Sequence, residues 1–264
     1  IHTMVPTKRG THLFLSLERL ETLRQQQRPD SPALQRIGLS ATQRPLDEVA
    51  RLLGGYEKNS ESDSLRERPV EIIDASEKRP FELTICMPLG DQQDEAAEEF
   101  NVVGNAATSP VPASIWPAIY PRLVALVREH RSTMIFVNSR RLAERPAAAI
   151  NDTAEEELAR AHHGSMSKDT RADVEDQLKR GGLRALVATS SMELGIDMGA
   201  VELVIQVEAP PSIASGLQRI GRAGHSVGAV SKGIVFPKYR GDLLASAAAA
   251  QQMINGRVES SAYP

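Results

Sequence analysis

The sequence predicts an α/β protein whose parallel sheet is covered by helices on both faces. Three observations lead there. From about residue 114 onward, short apolar runs alternate with helical segments, the order that builds a parallel sheet with crossover helices. The run at residues 133–137, Thr-Met-Ile-Phe-Val, is apolar at nearly every position, as befits a strand buried on both sides. The distinctive polar and glycine-bearing motifs follow directly after such runs, where ligands sit in sheets of this kind.

The elements follow in order. Residues 10–24 carry Leu13, Phe14, Leu17 and Leu20 at helical spacing. Residues 35–39 form a strand candidate running into Ser40-Ala41-Thr42. Residues 45–53 read as a helix, with Pro45 at its start and Gly54-Gly55 after its end. Residues 58–69 are polar and read as a loop, and residues 70–74 and 81–87 as strands. Between Arg79 and Arg122 there is no Lys or Arg, while Asp91, Asp94, Glu95, Glu98 and Glu99 cluster. Residues 89–113 therefore read as an acidic, Pro-dotted linker. Beyond it, helices are predicted over 115–130, 139–150 (interrupted by Pro146), 168–179, 212–223 and 243–254, and strands over 133–137, 159–162, 183–189, 201–207 and 233–237.

Composition narrows the class. The chain has 264 residues, 41% hydrophobic and 25% charged, with only 4% aromatic, so its cores are aliphatic. A formal charge of -3 argues against a strongly basic nucleic-acid coat, yet leaves room for a local basic groove. Cys86 is the only cysteine, which excludes an intrachain disulfide and fits a reducing cytosol. No apolar run approaches the roughly 20 residues of a membrane helix.

The chemistry gathers at the strand exits. Gln218-Arg219-Ile220-Gly221-Arg222-Ala223-Gly224-His225 places two arginines three residues apart on a predicted helix, a spacing that shares one face. Their planar forks suit phosphate oxygens. The strand at 183–189 opens into Thr189-Ser190-Ser191 and then Gly195 and Asp197. Hydroxyls and amides at a helix start bind phosphate, although plain helix capping also accounts for them. Asn138-Ser139 and His163-Gly164-Ser165 end two further strands, as small polar groups fit for a nucleic-acid backbone. His162-His163 is a poor metal pair, because neighbours on a strand point to opposite faces; no metal site is predicted. Gly-x-Gly-x-x-Gly is absent, which disfavours dinucleotide binding.

Taken together, Ser40-Ala41-Thr42, Ile135-Phe136-Val137-Asn138-Ser139-Arg140, His163-Gly164-Ser165, the stretch from Ala188 to Asp197, and Gln218 to His225 occur in the order and spacing of a superfamily 2 helicase. They resemble its third, fourth, fourth-accessory, fifth and sixth motifs. With Thr7-Lys8-Arg9-Gly10 and Phe236-Pro237-Lys238-Tyr239-Arg240-Gly241-Asp242 the chain looks most like the large helicase-related (Lhr) family. The resemblance implies two RecA-like parallel-sheet domains. The first, residues 1–88, is read as truncated at its N-terminus, and the second, residues 114–242, as complete. Residues 243–264 then form an exit helix toward a further, winged-helix domain.

It implies ATP with Mg²⁺ as cofactor, 3′-to-5′ movement, and a single-stranded or partly duplex nucleic acid as partner, DNA or an RNA:DNA hybrid. A role in DNA repair in the bacterial cytosol or nucleoid goes with that. Arg222, Arg219 and Gln218 would be catalytic, with Arg222 the first choice for the arginine finger. Gly195, Asp197, Arg219, Arg222 and His225 would face the nucleotide. Asn138, Ser139, His163, Gly164, Thr189 and Ser190 would follow the nucleic-acid strand. Ser40 and Thr42 would couple nucleotide state to domain movement. His225 departs from the second finger Arg of many relatives, and imidazole lacks the bidentate fork.

No Lys in the chain is followed by Ser or Thr, so the phosphate-cradling Gly-x4-Gly-Lys-Ser/Thr loop is absent. Ile1-His2 matches only the end of the Asp-Glu-x-His motif. The expectation is that the ATP-holding half, with its Mg²⁺ ligands, precedes residue 1, and that these 264 residues alone are inactive. The alternative is a non-hydrolysing module that binds nucleic acid with the same fold.

Overall fold

The computed structural model describes residues 1–41, 43–59, 64–74, 80–87, 116–193, 201–224 and 230–261. It divides into two units, residues 1–78 with 257–264, and residues 79–256.

The first unit begins with α1 (Lys8–Gln27), started by Thr7, whose hydroxyl accepts from the Gly10 amide. A side chain at Gly10 would collide with the Met4 carbonyl, so the turn into α1 requires glycine there. Of the apolar positions predicted to form the buried face, Phe14 is buried, while Leu13 and Leu20 are exposed. The second helix, α2 (Leu46–Gly54), is capped by Pro45 and ends at Gly55, whose φ of 66° is a glycine conformation. A short antiparallel ribbon follows, β1 (Tyr56–Lys58) with β2 (Leu65–Glu67), where the sequence suggests only a loop. Glu18 of α1 ties the unit together, accepting from Arg36 at 2.6 Å and Arg68 at 2.8 Å. Partial burial raises the Glu18 pKa, but the hydrogen bonds and charge of the two arginines win and hold the carboxyl below its ordinary value. The strands expected at 35–39 and 70–74 are not formed. Ile37, Leu39 and Ile73 are exposed, and no partner strand among the described residues takes their backbone hydrogen bonds.

The second unit is a parallel sheet in the order β3 (Phe81–Ile85), β8 (Ser231–Phe236), β7 (Leu203–Val207), β4 (Thr133–Phe136), β6 (Ala185–Ala188), β5 (Ala159–His162). Its helices are α3 (Trp116–Glu129), α4 (Arg141–Ala154), α5 (Lys168–Lys179), α6 (Ile213–Ile220) and α7 (Arg240–Ile254). Alternation along β4 shows how both faces are filled. Ile135 and Val137 pack with α3 and α4, and Met134 and Phe136 pack with α5, α6 and Met253 of α7. Parallel strands need crossovers, and α4 and α5 supply them on opposite faces. α4 runs through Pro146.

Two boundaries differ from expectation. The strand expected to close the first domain, β3, is hydrogen-bonded parallel to β8, so it belongs to the second unit. Its alternating burial suits a sheet edge, a position that the sequence does not reveal. At the other end, α7 packs against α6 and β3, and Ser260 and Ser261 then pair with Arg44 and Gln43 of the first unit. The predicted linker at 89–113 lies outside the described residues.

Candidate ATP and nucleic-acid site

The register of the sheet sets the site. Phe136 pairs with Ala188 and with Gln206, and Ala188 with His162. The carboxyl ends of β5, β6, β4 and β7 therefore finish level, side by side. Asn138-Ser139, His163-Gly164 and Thr189-Ser190 all leave the sheet along this one edge. Ser139, Gly164 and Ser190 are exposed, and the space beside Gly164 is open.

Several of these polar groups also have internal work. The Ser139 hydroxyl accepts from Leu142 N at the start of α4, the capping role that the sequence allowed. Thr189 Oγ1 lies 3.5 Å from Ser191 Oγ. The Asn138 amide nitrogen donates to Glu208 Oε2 at 3.2 Å and to the Ala209 carbonyl at 2.9 Å. His163 is buried with Nε2 3.0 Å from Glu144 of α4, whereas His162 reaches Glu175 of α5. The adjacent histidines thus point to opposite faces, as strand geometry requires. No group of His, Cys, Asp or Glu fit for a metal occurs among the described residues.

His162 is 1% exposed. Glu175 can only accept at Nε2, so that nitrogen carries the hydrogen and Nδ1 faces Ser191 Oγ at 3.1 Å. Burial pushes the His162 pKa down, and Glu175 opposes that without cancelling it. A histidine lowered in the folded state binds fewer protons than the unfolded chain as pH falls below about 6.5, so stability falls there. We expect the folded protein to lose more stability between pH 7.5 and 5.5 than a His162→Gln variant loses, measured by denaturant unfolding at both pH values. Equal losses would dismiss the effect.

Arg219 and Arg222 do not share a ligand-facing surface. α6 stops at Ile220, and Arg222 lies in the turn beyond it, so the i, i+3 helical relation is lost. Arg219, expected at the phosphates, is instead 2% exposed and among the largest fully buried side chains. Its Nε donates to Glu193 Oε1 at 2.7 Å, with Nη2 2.6 Å from the same oxygen. Nη1 donates to Asn138 Oδ1 at 3.0 Å and to Gln206 Oε1 at 2.8 Å. The guanidinium stands over the Phe136 ring, 5.3 Å from its centroid. Its donors are engaged inward. Burial lowers the Arg219 pKa and Glu193 opposes this; a guanidinium starts so high that it stays charged.

Arg222 is half-buried, and its Nη2 donates to the Glu193 carbonyl. Burial lowers its pKa too, again opposed by the charge of Glu193. Gln218, one residue before Arg219, is half-buried. Gly195, Asp197 and His225, expected at the nucleotide, and Thr42, expected in coupling, lie outside the described residues. In the first unit, His2 Nδ1 accepts from Ala41 N at 3.0 Å and lies 3.3 Å from Ser40 Oγ, joining two motif pieces 38 residues apart.

Sequence reasoning missed Glu193, Gln206, Glu208 and Asp242. Gln206 fixes the turn after β7 by donating to the Val207 and Glu208 carbonyls. Glu208 joins Asn138 to Lys238. Asp242 accepts from the Ala209 and Lys238 amides. The Phe236–Asp242 run had marked the last of these only as a resemblance.

The helicase conserved C-terminal domain family matches residues 118–226. Over its whole length the chain is 45% identical to an Lhr helicase of Mycolicibacterium smegmatis and covers 18% of that protein. A solved structure of Mycobacterium smegmatis helicase Lhr bound to ssDNA and AMP-PNP superposes with a TM-score of 0.78 at 48% identity, covering 100% of this chain and 31% of that one. The chain is related to the Lhr helicases of superfamily 2. Another Lhr relative, ATP-dependent helicase Lhr-Core protein 2 of Thermococcus barophilus, is 39% identical over the whole chain, which spans 28% of it. The chain thus spans less than a third of these Lhr proteins. Among the described residues no helix is long and apolar enough to cross a membrane.

Proposed function

We propose that these residues are the part of an ATP-dependent 3′-to-5′ translocase that supplies the arginine finger and half of the nucleic-acid track. The supporting observation is the level edge of β5, β6, β4 and β7, which gathers Ser139, Gly164 and Ser190 in one unit with the Arg222 turn. The similar Lhr structure is bound to ssDNA and AMP-PNP, which supports a nucleic-acid strand and a nucleotide as the ligands. Exposed hydroxyls and the open space at Gly164 fit a sugar–phosphate backbone. Arg222 and Gln218 face the phosphates, while Arg219 organises the site from within. Gly195, Asp197 and His225 complete the nucleotide side, and Ser40 with Thr42 couple it to movement.

The residues present fit one side of a nucleoside triphosphate. Arg222 offers a charged fork to a terminal phosphate, but the sequence holds no P-loop lysine. ATP, with Mg²⁺, would supply the phosphoryl group whose transfer drives movement. The favoured strand is single-stranded or partly duplex DNA, with an RNA:DNA hybrid next, in DNA repair in the cytosol or nucleoid.

The test is a chimaera in which these 264 residues replace the corresponding segment of the M. smegmatis Lhr helicase. It should hydrolyse ATP faster with single-stranded DNA than without, and the 264 residues alone should not hydrolyse ATP. The missing P-loop favours a second reading, a non-hydrolysing binding module. A chimaera that binds single-stranded DNA but gains no ATPase stimulation selects that reading.

A further inference from the structure

We propose that Glu193 is the positioning residue that sets Arg222 for catalysis. The proposal rests on Arg222 facing the phosphates. Glu193 stands just past the 3₁₀ turn Ser190–Met192 that follows β6, and it holds the two arginines with different atoms. Its Oε1 takes Arg219 Nε at 2.7 Å, Arg219 Nη2 at 2.6 Å and the Ser215 hydroxyl at 2.7 Å. Its main-chain carbonyl takes Arg222 Nη2.

These contacts form a clamp. Ser215 and Arg219 lie one turn apart on α6, so the carboxylate pins the loop after β6 to one face of that helix. The pinned loop then presents its carbonyl to the residue two positions beyond the helix end. An ion pair serving stability alone would need only Glu193 and Arg219. The carbonyl contact makes the direction of Arg222 depend on where that carboxylate is seated. The Glu193 side chain is only 14% exposed, so its charge also favours holding the Arg222 guanidinium half-buried. When a phosphate oxygen approaches, Arg222 can exchange a neutral carbonyl for a charged acceptor, which forms the stronger bond. A finger misplaced by about 1 Å costs on the order of 10²-fold in rate, so the side chain that seats the loop governs turnover without touching nucleotide.

The experiment is a double-mutant cycle in the chimaera with Glu193→Gln, Arg222→Ala and both together. The readouts are kcat, KM for ATP, affinity for a fluorescent single-stranded DNA, and Tm. Glu193→Gln alone should lower kcat by about 10–100-fold, with KM for ATP and DNA affinity unchanged. On the Arg222→Ala background it should cost less than about twofold more. Ser215→Ala, which keeps both charges, should lower kcat alone to a smaller degree and keeps the test open if the Glu193 variant folds poorly. The proposal fails if Glu193→Gln costs the same factor with and without Arg222, or leaves kcat unchanged while Arg222→Ala is deficient. Wild-type turnover by Arg222→Ala overturns the finger assignment itself, and this proposal with it.

Discussion

Arg222→Ala in the chimaera is expected to lower DNA-stimulated ATP turnover by about 10³–10⁵-fold, the range set by arginine fingers in NTPases. The size follows from where the charge acts. The transferring phosphoryl group spreads negative charge over its oxygens as its bond breaks, and a guanidinium stabilises that charge more than it stabilises the bound substrate. KM for ATP should therefore change far less than kcat. Arg222→Lys should fall between the two, because an ammonium keeps the charge but loses the planar fork. Single-stranded DNA affinity should stay at the parental value, since Ser139, Gly164 and Ser190 leave from other strands. Steady-state hydrolysis with titrated ATP and DNA measures all of this. Parental turnover in Arg222→Ala would remove the finger role.

The parts of the fold that were legible in sequence are those where burial is two-sided. β4, β6 and β7 lie wholly in the core, and their mostly apolar runs, broken only by Thr133 and Gln206, announce it. The failures at 35–39 and 70–74 have the opposite cause. Ile37, Leu39 and Ile73 satisfy strand propensity but find no strand partner among the described residues, so the alternation has nothing to pair with. β3 was read correctly as a strand and assigned to the wrong unit, because pairing across more than 140 residues, as between Phe81 and Ser231, leaves no local trace. At the site, motif spacing singled out Arg222, whose role is proposed, and the strand exits, which the sheet register brings level. It could not foresee that α6 ends at Ile220 and turns Arg219 inward. Nor could it single out Glu193, whose meaning comes from partners 22 and 26 residues away.

The inward turn of Arg219 gives the largest expected effect on stability. Arg219→Ala removes the counter-charge of a carboxylate that is only 14% exposed, and it takes donors from Asn138 and Gln206. Breaking one side of a buried ion pair costs about 3–5 kcal/mol. In a domain of this size each kcal/mol moves Tm by about 2–4 °C, so the 264-residue protein should melt lower by roughly 10 °C in a thermal scan. The asymmetry of the penalty supplies the control. Much of the loss comes from leaving the Glu193 charge unpaired rather than from losing attraction. Replacing both partners with apolar residues, Arg219→Met with Glu193→Leu, should therefore recover a large part of the stability. Catalysis should not return with it, because the carboxylate that seats the Arg222 carbonyl contact is gone. A double variant as unstable as Arg219→Ala would show that Arg219 stabilises the unit through its bonds to Asn138 and Gln206 rather than through its charge pair. A double variant that regains both stability and turnover would show that the paired charges serve neither.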